Sequence, residues 1–160
     1  MDAGGNITGL LSTLLDITEK KRIEEELSDS EEKFHVAFEK AGLAIMIIKN
    51  NKPIASNPAL LHMFGYTEKE LGQITIEQIT HPDDIEQELL LIKDMNAGNI
   101  DGFQIEKRYI HKNGNIIFGD LNVSQKKGDK FGVSIIQDIT KRKQSEKELR
   151  ISHQEKKRLA

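Results

Sequence analysis

Five histidines, His35, His62, His81, His111 and His153, are the side chains best suited to acid–base or metal chemistry near neutral pH. No two of them stand at a spacing that would bring two ligands onto one helix face, so each is read as a surface or partly buried structural residue. Cys is absent, which excludes disulfides, thiolate metal sites and cysteine nucleophiles. The chain has no glycine-rich phosphate loop, no His-Glu-x-x-His and no nucleophile elbow. The adjacent carboxylates Asp83 and Asp84 fall where a helix should begin. Anionic side chains there favour the positive end of the helix dipole, so capping explains them without catalysis. The expectation is a chain with no catalytic residues and no metal site.

The elements that position these residues follow from periodicity. Residues 10–15 form a short apolar run behind Gly4, Gly5 and Gly9, which predicts a turn and a strand. From residue 19 to about 40 the pattern is helical, with Ile23, Leu27, Phe34 and Phe38 on one face and Lys, Arg and Glu on the other. Ser28 with Glu31 forms a capping box, which predicts two helices with a joint near 28–30. Residues 43–48 then read as a buried strand, Asn50-Asn51 as a turn and residues 52–56 as its returning strand. Asn57-Pro58 opens a short helix stopped at Gly65, and Thr67 with Glu70 caps another that Gly72 closes. The longest internal helix is expected to start with Asp83 as N-cap, to carry Ile85, Leu89, Ile92 and Met95 inward, and to end at Gly98.

The rest predicts antiparallel strand. Residues 103–111 meet 115–125 across Asn113-Gly114, and Gly128-Asp129 turns the chain into residues 130–137. Ile117, Gly119, Leu121 and Val123 share a face, with Phe131, Val133 and Ile135 expected to match them in the last strand. The sum is an α+β fold: a five-stranded antiparallel sheet with short helices and one longer helix over one face, flanked by N- and C-terminal helices.

One phrase occurs twice. Asp16-Ile17-Thr18 with a charged run behind it returns as Asp138-Ile139-Thr140, again with a charged run behind it, a domain's length later. This spacing predicts a tail of a preceding module at 1–18, a linker helix at 19–30, a complete domain at 31–140 and a C-terminal linker helix at 141–160. Thr140 is placed to N-cap that last helix and Asp138 to hold the joint to the sheet or to a neighbouring Lys or Arg. Charge is mixed in sign and sums to −3, so neither nucleic acid nor a membrane surface is expected as a partner. No apolar run approaches the roughly 18 residues of a membrane span, no signal-peptide pattern opens the chain, and the lack of Cys fits a cytoplasmic setting.

The order of elements and the residues that punctuate it resemble the PAS domain family. The matching phrases are Asn57-Pro58-Ala59, Phe64-Gly65-Tyr66, Glu70-Leu71-Gly72, His81-Pro82-Asp83-Asp84, Glu106-Lys107-Arg108, His111-Lys112-Asn113-Gly114, and Asp138-Ile139-Thr140 followed by Lys141-Arg142-Lys143. The resemblance implies a sensory or relay module of a multi-domain signalling protein, placed ahead of a histidine kinase or a cyclic-nucleotide-forming output. It also bears on cofactors. Flavin-adduct members need a reactive Cys, haem-binding members carry an axial His in the long helix, and many flavin-dinucleotide members use a Trp; this chain has no Cys, no Trp and no His between 83 and 95. No haem or flavin is therefore expected, and an unidentified small ligand is the remaining option.

For such a ligand the candidate lining is Ile45, Ile47, Met63, Phe64, Leu89, Ile92, Phe103, Ile105, Leu121 and Ile135, weighed against the same residues simply filling the core. Among Gln104, Asn122 and Gln137, alternation places at least Gln104 outside. His153 lacks the His-Glu-hydrophobic-Arg context of a phosphoacceptor helix. The mechanism implied is a homodimer through the flanking helices, with Ile23, Leu27, Phe34 and Phe38 in the seam and Asp138 and Thr140 as the hinge. The alternatives are a small-molecule receptor module and the regulatory segment of a cyclic-dinucleotide enzyme.

Overall fold

The computed structural model describes residues 3–160, in two compact units that divide between Lys40 and Ala41. The first is a single helix, α1 (Ala3–Lys40). Two expectations fail here. Residues 10–15 are helical, and no break occurs at Ser28 or Ser30. A strand at 10–15 would need a neighbour to pair its backbone, whereas a helix satisfies each N–H and C=O within the segment. Thr13 and Thr18 fold their hydroxyls back onto the Gly9 and Leu14 carbonyls at 3.0 and 2.8 Å, so Thr18 is a mid-helix residue and not a cap. With neither Gly nor Pro between residues 10 and 40, the Ser28 box has no break to initiate.

The second unit begins with β1 (Ala44–Lys49) and β2 (Lys52–Ser56). Asn50 and Asn51 both take positive φ, 52° and 60°, the conformation a two-residue hairpin turn demands. Pro53 is tolerated because β2 is an edge strand. Then come α2 (Pro58–Phe64), α3 (Glu68–Leu71), α4 (Ile76–Ile79) and α5 (Pro82–Asn96). Asn57 caps α2 by accepting from the Leu60 N–H, and Gly65 closes it in the left-handed region. The Thr67–Glu70 box forms with both of its hydrogen bonds. Helix α4 was not foreseen, although Thr75 with Gln78 carries the same signature.

The sheet is completed by β3 (Gly102–Ile110), β4 (Ile116–Ser124) and β5 (Gly132–Asp138), in the antiparallel order β2-β1-β5-β4-β3. Helix α6 (Thr140–Leu159) follows without a loop. The inward face of β4 is Ile117, Gly119, Leu121 and Val123, as alternation predicts. In β5 the expectation is one residue out. Leu121 pairs with Ile136 and Val123 with Ser134, so Gly132, Ser134 and Ile136 are buried while Val133 and Ile135 share the other face and Phe131 is exposed. Ala44 in turn pairs with Ile136 and Met46 with Ser134, which puts Ile45 and Ile47 on that outer face too.

The start of α5 also differs. His81, not Asp83, is the N-cap: its Nδ1 accepts from the Asp83 N–H at 3.2 Å, and Pro82 occupies the first turn. The helix is rotated so that Glu88 and Met95 are buried and Leu89 is exposed.

Candidate functional site

The inner face of the sheet and the helices laid over it enclose a cavity of about 80 Å³. Met46 and Ile48 of β1, Phe103 and Tyr109 of β3, Leu121 and Val123 of β4, and Ser134 and Ile136 of β5 form its floor. Leu60 and Phe64 of α2, Leu71, Ile76 and Ile79, and Glu88, Ile92 and Met95 of α5 form the cover. Of the predicted lining, Phe64, Ile92, Phe103 and Leu121 are in place. Met63 and Ile105 pack against the core without bordering the cavity. Ile45, Ile47 and Ile135 lie on the opposite sheet face, and Leu89 sits in a shallow outer groove with Pro82, Ile85 and Lys93. Gln104 and Asn122 are exposed on that outer face, Gln104 held by Asp120, and Gln137 is exposed as well. The polar wall residues are instead Asn51, Thr75, Glu88, Lys107, Tyr109, Gln125 and Ser134.

A buried charge pair stands in this wall. The Lys107 ammonium meets the Glu88 carboxylate, with the two side chains 2% and 5% exposed, and also donates to the Thr80 hydroxyl at 2.8 Å. Thr80 in turn donates to Glu88 at 3.3 Å, so three buried polar side chains satisfy one another. Burial pushes the Lys107 amine below the usual lysine range, opposed by the Glu88 charge. Its ammonium also lies 4.1 Å from the centre of the Tyr109 ring, which meets Phe64 edge-on at 5.1 Å. The Tyr109 hydroxyl is buried and has no hydrogen-bond partner, and burial holds its pKa well above the ordinary tyrosine value.

The residues on either side of Lys107 reach other elements. Arg108 clamps Asp84 of α5 with Nε–Oδ2 3.0 Å and Nη2–Oδ1 2.8 Å, while its backbone N–H donates to the same carboxylate at 2.8 Å. These bonds hold the Asp84 carboxyl below the usual range. Glu106 on the other side accepts from Arg142 and binds Lys143 at 2.6 Å, both in the first turn of α6, and the Lys143 hydrogen bond lowers its carboxyl as well. The three consecutive residues Glu106, Lys107 and Arg108 of an edge strand thus join α5, the cavity wall and α6.

The joint between sheet and α6 departs from the expected cap. Ile139 occupies the N-cap position, with no side-chain cap bond. Thr140 is the first helical residue, and its hydroxyl accepts the Phe118 N–H of β4 at 3.0 Å. Asp138 does the local capping, accepting the Thr140 N–H at 2.9 Å, and Ile139 N–H reaches the Phe118 carbonyl at 2.8 Å. The two predicted hinge residues are therefore both engaged, in roles exchanged from those expected.

Among the described residues no group of three or more His, Cys, Asp or Glu is placed to hold a metal, and no helix is long and apolar enough to cross a membrane. Sequence reasoning missed the Lys107–Glu88 pair, although both positions carried a signal. Lys107 continues the inward alternation Phe103, Ile105 and Tyr109, and Glu88 falls on the stripe Ile85, Ile92 and Met95.

Comparison with known proteins agrees with this architecture. Residues 42–141 match the family model described as PAS domain. The sensor histidine kinase TmoS of Ectopseudomonas mendocina is 32% identical over 135 residues, which is 81% of this chain and 14% of that protein. The probable diguanylate cyclase DgcE of Escherichia coli K12 is 30% identical over 99 residues, 61% of this chain and 9% of that one. The chain thus spans under a fifth of the length of either of these curated relatives. Among solved structures, a domain of a sensory box sensor histidine kinase/response regulator from Geobacter sulfurreducens superposes with a TM-score of 0.61 at 19% identity, covering 70% of this chain and 96% of that one.

Proposed function

The chain belongs to the PAS domain family, and from that membership we propose that it is the sensory and relay module of a larger signalling protein. The cavity receives the input, and α6 carries the output to a histidine kinase or a diguanylate cyclase, the activities named for its relatives. The observation that carries this reading is the run Glu106-Lys107-Arg108. A displacement of α5 felt at Lys107 or Arg108 moves the same strand segment that holds Arg142 and Lys143. The module is non-catalytic, takes neither haem nor flavin, and acts in the cytoplasm without touching nucleic acid or membrane.

In this reading residues 1–18 are the tail of a preceding module, 19–30 a linker helix, 31–140 the PAS domain and 141–160 the outgoing helix. The helices flanking the domain pair with those of a second copy. Support comes from α1, where Ile23, Leu27 and Phe34 are 54%, 57% and 59% exposed, apolar surface that a parallel partner helix would cover; Phe38, on which Phe34 stacks at 5.6 Å, is already buried and falls outside that surface. Asp138 and Thr140 form the hinge.

The test is amide hydrogen exchange along α6 in Glu106→Gln. Loss of the tie to Arg142 and Lys143 is expected to speed exchange at 141–146 and to leave β4 and β5 protected. Unchanged exchange in α6 would remove Glu106 from the relay.

A further inference from the structure

The cavity wall has three properties that together define what would fill it. Most of its surface is aliphatic or aromatic, with Phe64, Ile92, Leu121 and Ile136 among its residues. Its two charges, Lys107 and Glu88, already neutralise each other. The Tyr109 hydroxyl is buried with no partner, in a structure that satisfies Asn57, Thr80 and Lys107 in full view of the same core. Native folds leave few such groups unpaired, and a ligand or water is the usual reason.

We propose that the cavity binds a small uncharged aliphatic molecule with a single hydroxyl or carbonyl head, the head pairing with Tyr109 and the chain lying against Phe64, Ile92 and Leu121. The assignment rests on the sensory reading given above and names the class of molecule sensed. Charge selects against the alternatives. A carboxylate would add an unpaired negative charge beside a lysine that Glu88 has already neutralised, and an ammonium would add an unpaired positive one; each would be buried without a partner. Water alone leaves most of the wall unmatched, since an ordered buried water needs two to four polar partners and Phe64, Ile92, Leu121 and Ile136 offer none. A phenol is both donor and acceptor, so alcohols and ketones are both accepted.

Binding at this point also reaches the relay. Tyr109 follows Arg108 in sequence and its ring lies 4.1 Å from the Lys107 ammonium, so a head group that pairs with the Tyr109 hydroxyl alters the packing of the segment that holds both α5 and α6.

The experiment uses 1-pentanol, 2-pentanone, pentanoate and pentylammonium as a matched set, titrated into the chain and followed by amide chemical shifts of β3, β4 and β5. Saturable shifts with the alcohol and ketone, and binding at least about tenfold weaker for the two ions, are expected. Tyr109→Phe removes the hydroxyl alone and should weaken the alcohol about fivefold to tenfold while leaving cyclopentane unaffected. Ser134→Leu, which fills the cavity from β5, should abolish both with the fold checked by its melting transition. No saturable binding, equal binding of pentanoate, or an alcohol affinity indifferent to Tyr109→Phe would each overturn the assignment. Alcohol binding that leaves hydrogen exchange at 141–146 unchanged would instead sink the relay reading and keep the ligand class. The reverse pattern, a Glu106→Gln effect on α6 with no probe bound, would do the opposite.

Discussion

Lys107 of β3 and Glu88 of α5 form an ion pair inside the fold, both side chains almost wholly screened from solvent and both bonded to Thr80. Removing one partner leaves an uncompensated buried charge, which costs about 3–5 kcal/mol, whereas replacing both by apolar residues of similar size is close to neutral. Lys107→Met and Glu88→Leu are each expected to be strongly destabilising alone and largely to restore stability together. Urea unfolding of the two single variants and the double would check this; additive losses would show that the pair is not coupled.

Gly119 of β4 lies under the Tyr109 ring. A methyl there would stand 2.5 Å from Tyr109 Cε2 and 3.1 Å from Ile136 Cγ2, so both neighbours must shift, and the ring is packed edge-on against Phe64. Gly119→Ala is expected to cost about 1–3 kcal/mol by overpacking. Tyr109→Leu in the same chain should absorb part of that cost, so the double variant should lose less than the sum of its parts. A melting temperature unmoved by Gly119→Ala would show that the floor of the cavity is looser than these distances imply.

What the sequence made legible was what backbone chemistry writes into single residues. The Thr67–Glu70 box, the two asparagines of the first hairpin, Asn57 ahead of Pro58 and the turn at Gly114 each specify one local conformation, and each is found where expected. Strand faces were legible only where polar and apolar residues alternate. In β4 they do; in β1 the run Ile45, Met46, Ile47, Ile48 and in β5 the pair Ile135, Ile136 are apolar on both sides, so period two cannot choose between faces. Register against β4 decides, and that is a tertiary property. The charged pair was hidden for a different reason: Lys and Glu are nearly always outside, and only their mutual contact reverses the rule. Residues 10–15 carry a strand's composition, yet they lie within α1, where each backbone group is paired inside the segment.

The Arg108–Asp84 clamp should set part of the acid limb of stability. Its hydrogen bonds hold the Asp84 carboxyl below its ordinary value, so the folded state binds that proton less readily than the unfolded chain. The clamp's contribution is complete above the unfolded pKa of about 3.9 and is lost as pH falls through the lower folded value. Asp84→Asn is therefore expected to be less stable than the parent at pH 7, with the gap narrowing below about pH 4. Denaturant unfolding at both pH values measures it; a gap of equal size at each would assign the effect of Asp84 to packing and not to charge. Glu106 is lowered in the same direction, but it is exposed and screened, so its share of the acid limb should be small.

The joint at Asp138-Ile139-Thr140 makes a prediction that separates two jobs within three residues. Thr140 ties the helix to the sheet by accepting the Phe118 N–H, and Asp138 caps the helix by accepting the Thr140 N–H. Thr140→Val keeps the shape and removes the acceptor, leaving a part-buried amide unpaired at a cost of about 1–3 kcal/mol. That cost falls on β4, so exchange at the Phe118 amide should accelerate while α6 stays helical. Asp138→Ala removes an exposed cap worth about 1 kcal/mol, and here exchange should quicken at the start of α6 with Phe118 still protected. If the joint is the hinge of the module, the double variant should uncouple α6 from the sheet with β1 and β5 still intact, because those strands are held by the core around Ile136 and not by the joint. The same two residues in the first copy of the phrase lie within α1, where Thr18 bonds the Leu14 carbonyl. Thr18→Val should consequently leave the melting of the sheet unit unchanged. Equal effects of Thr18→Val and Thr140→Val on that transition would mean that the phrase acts through helix propensity alone and that its contact with β4 carries no energy.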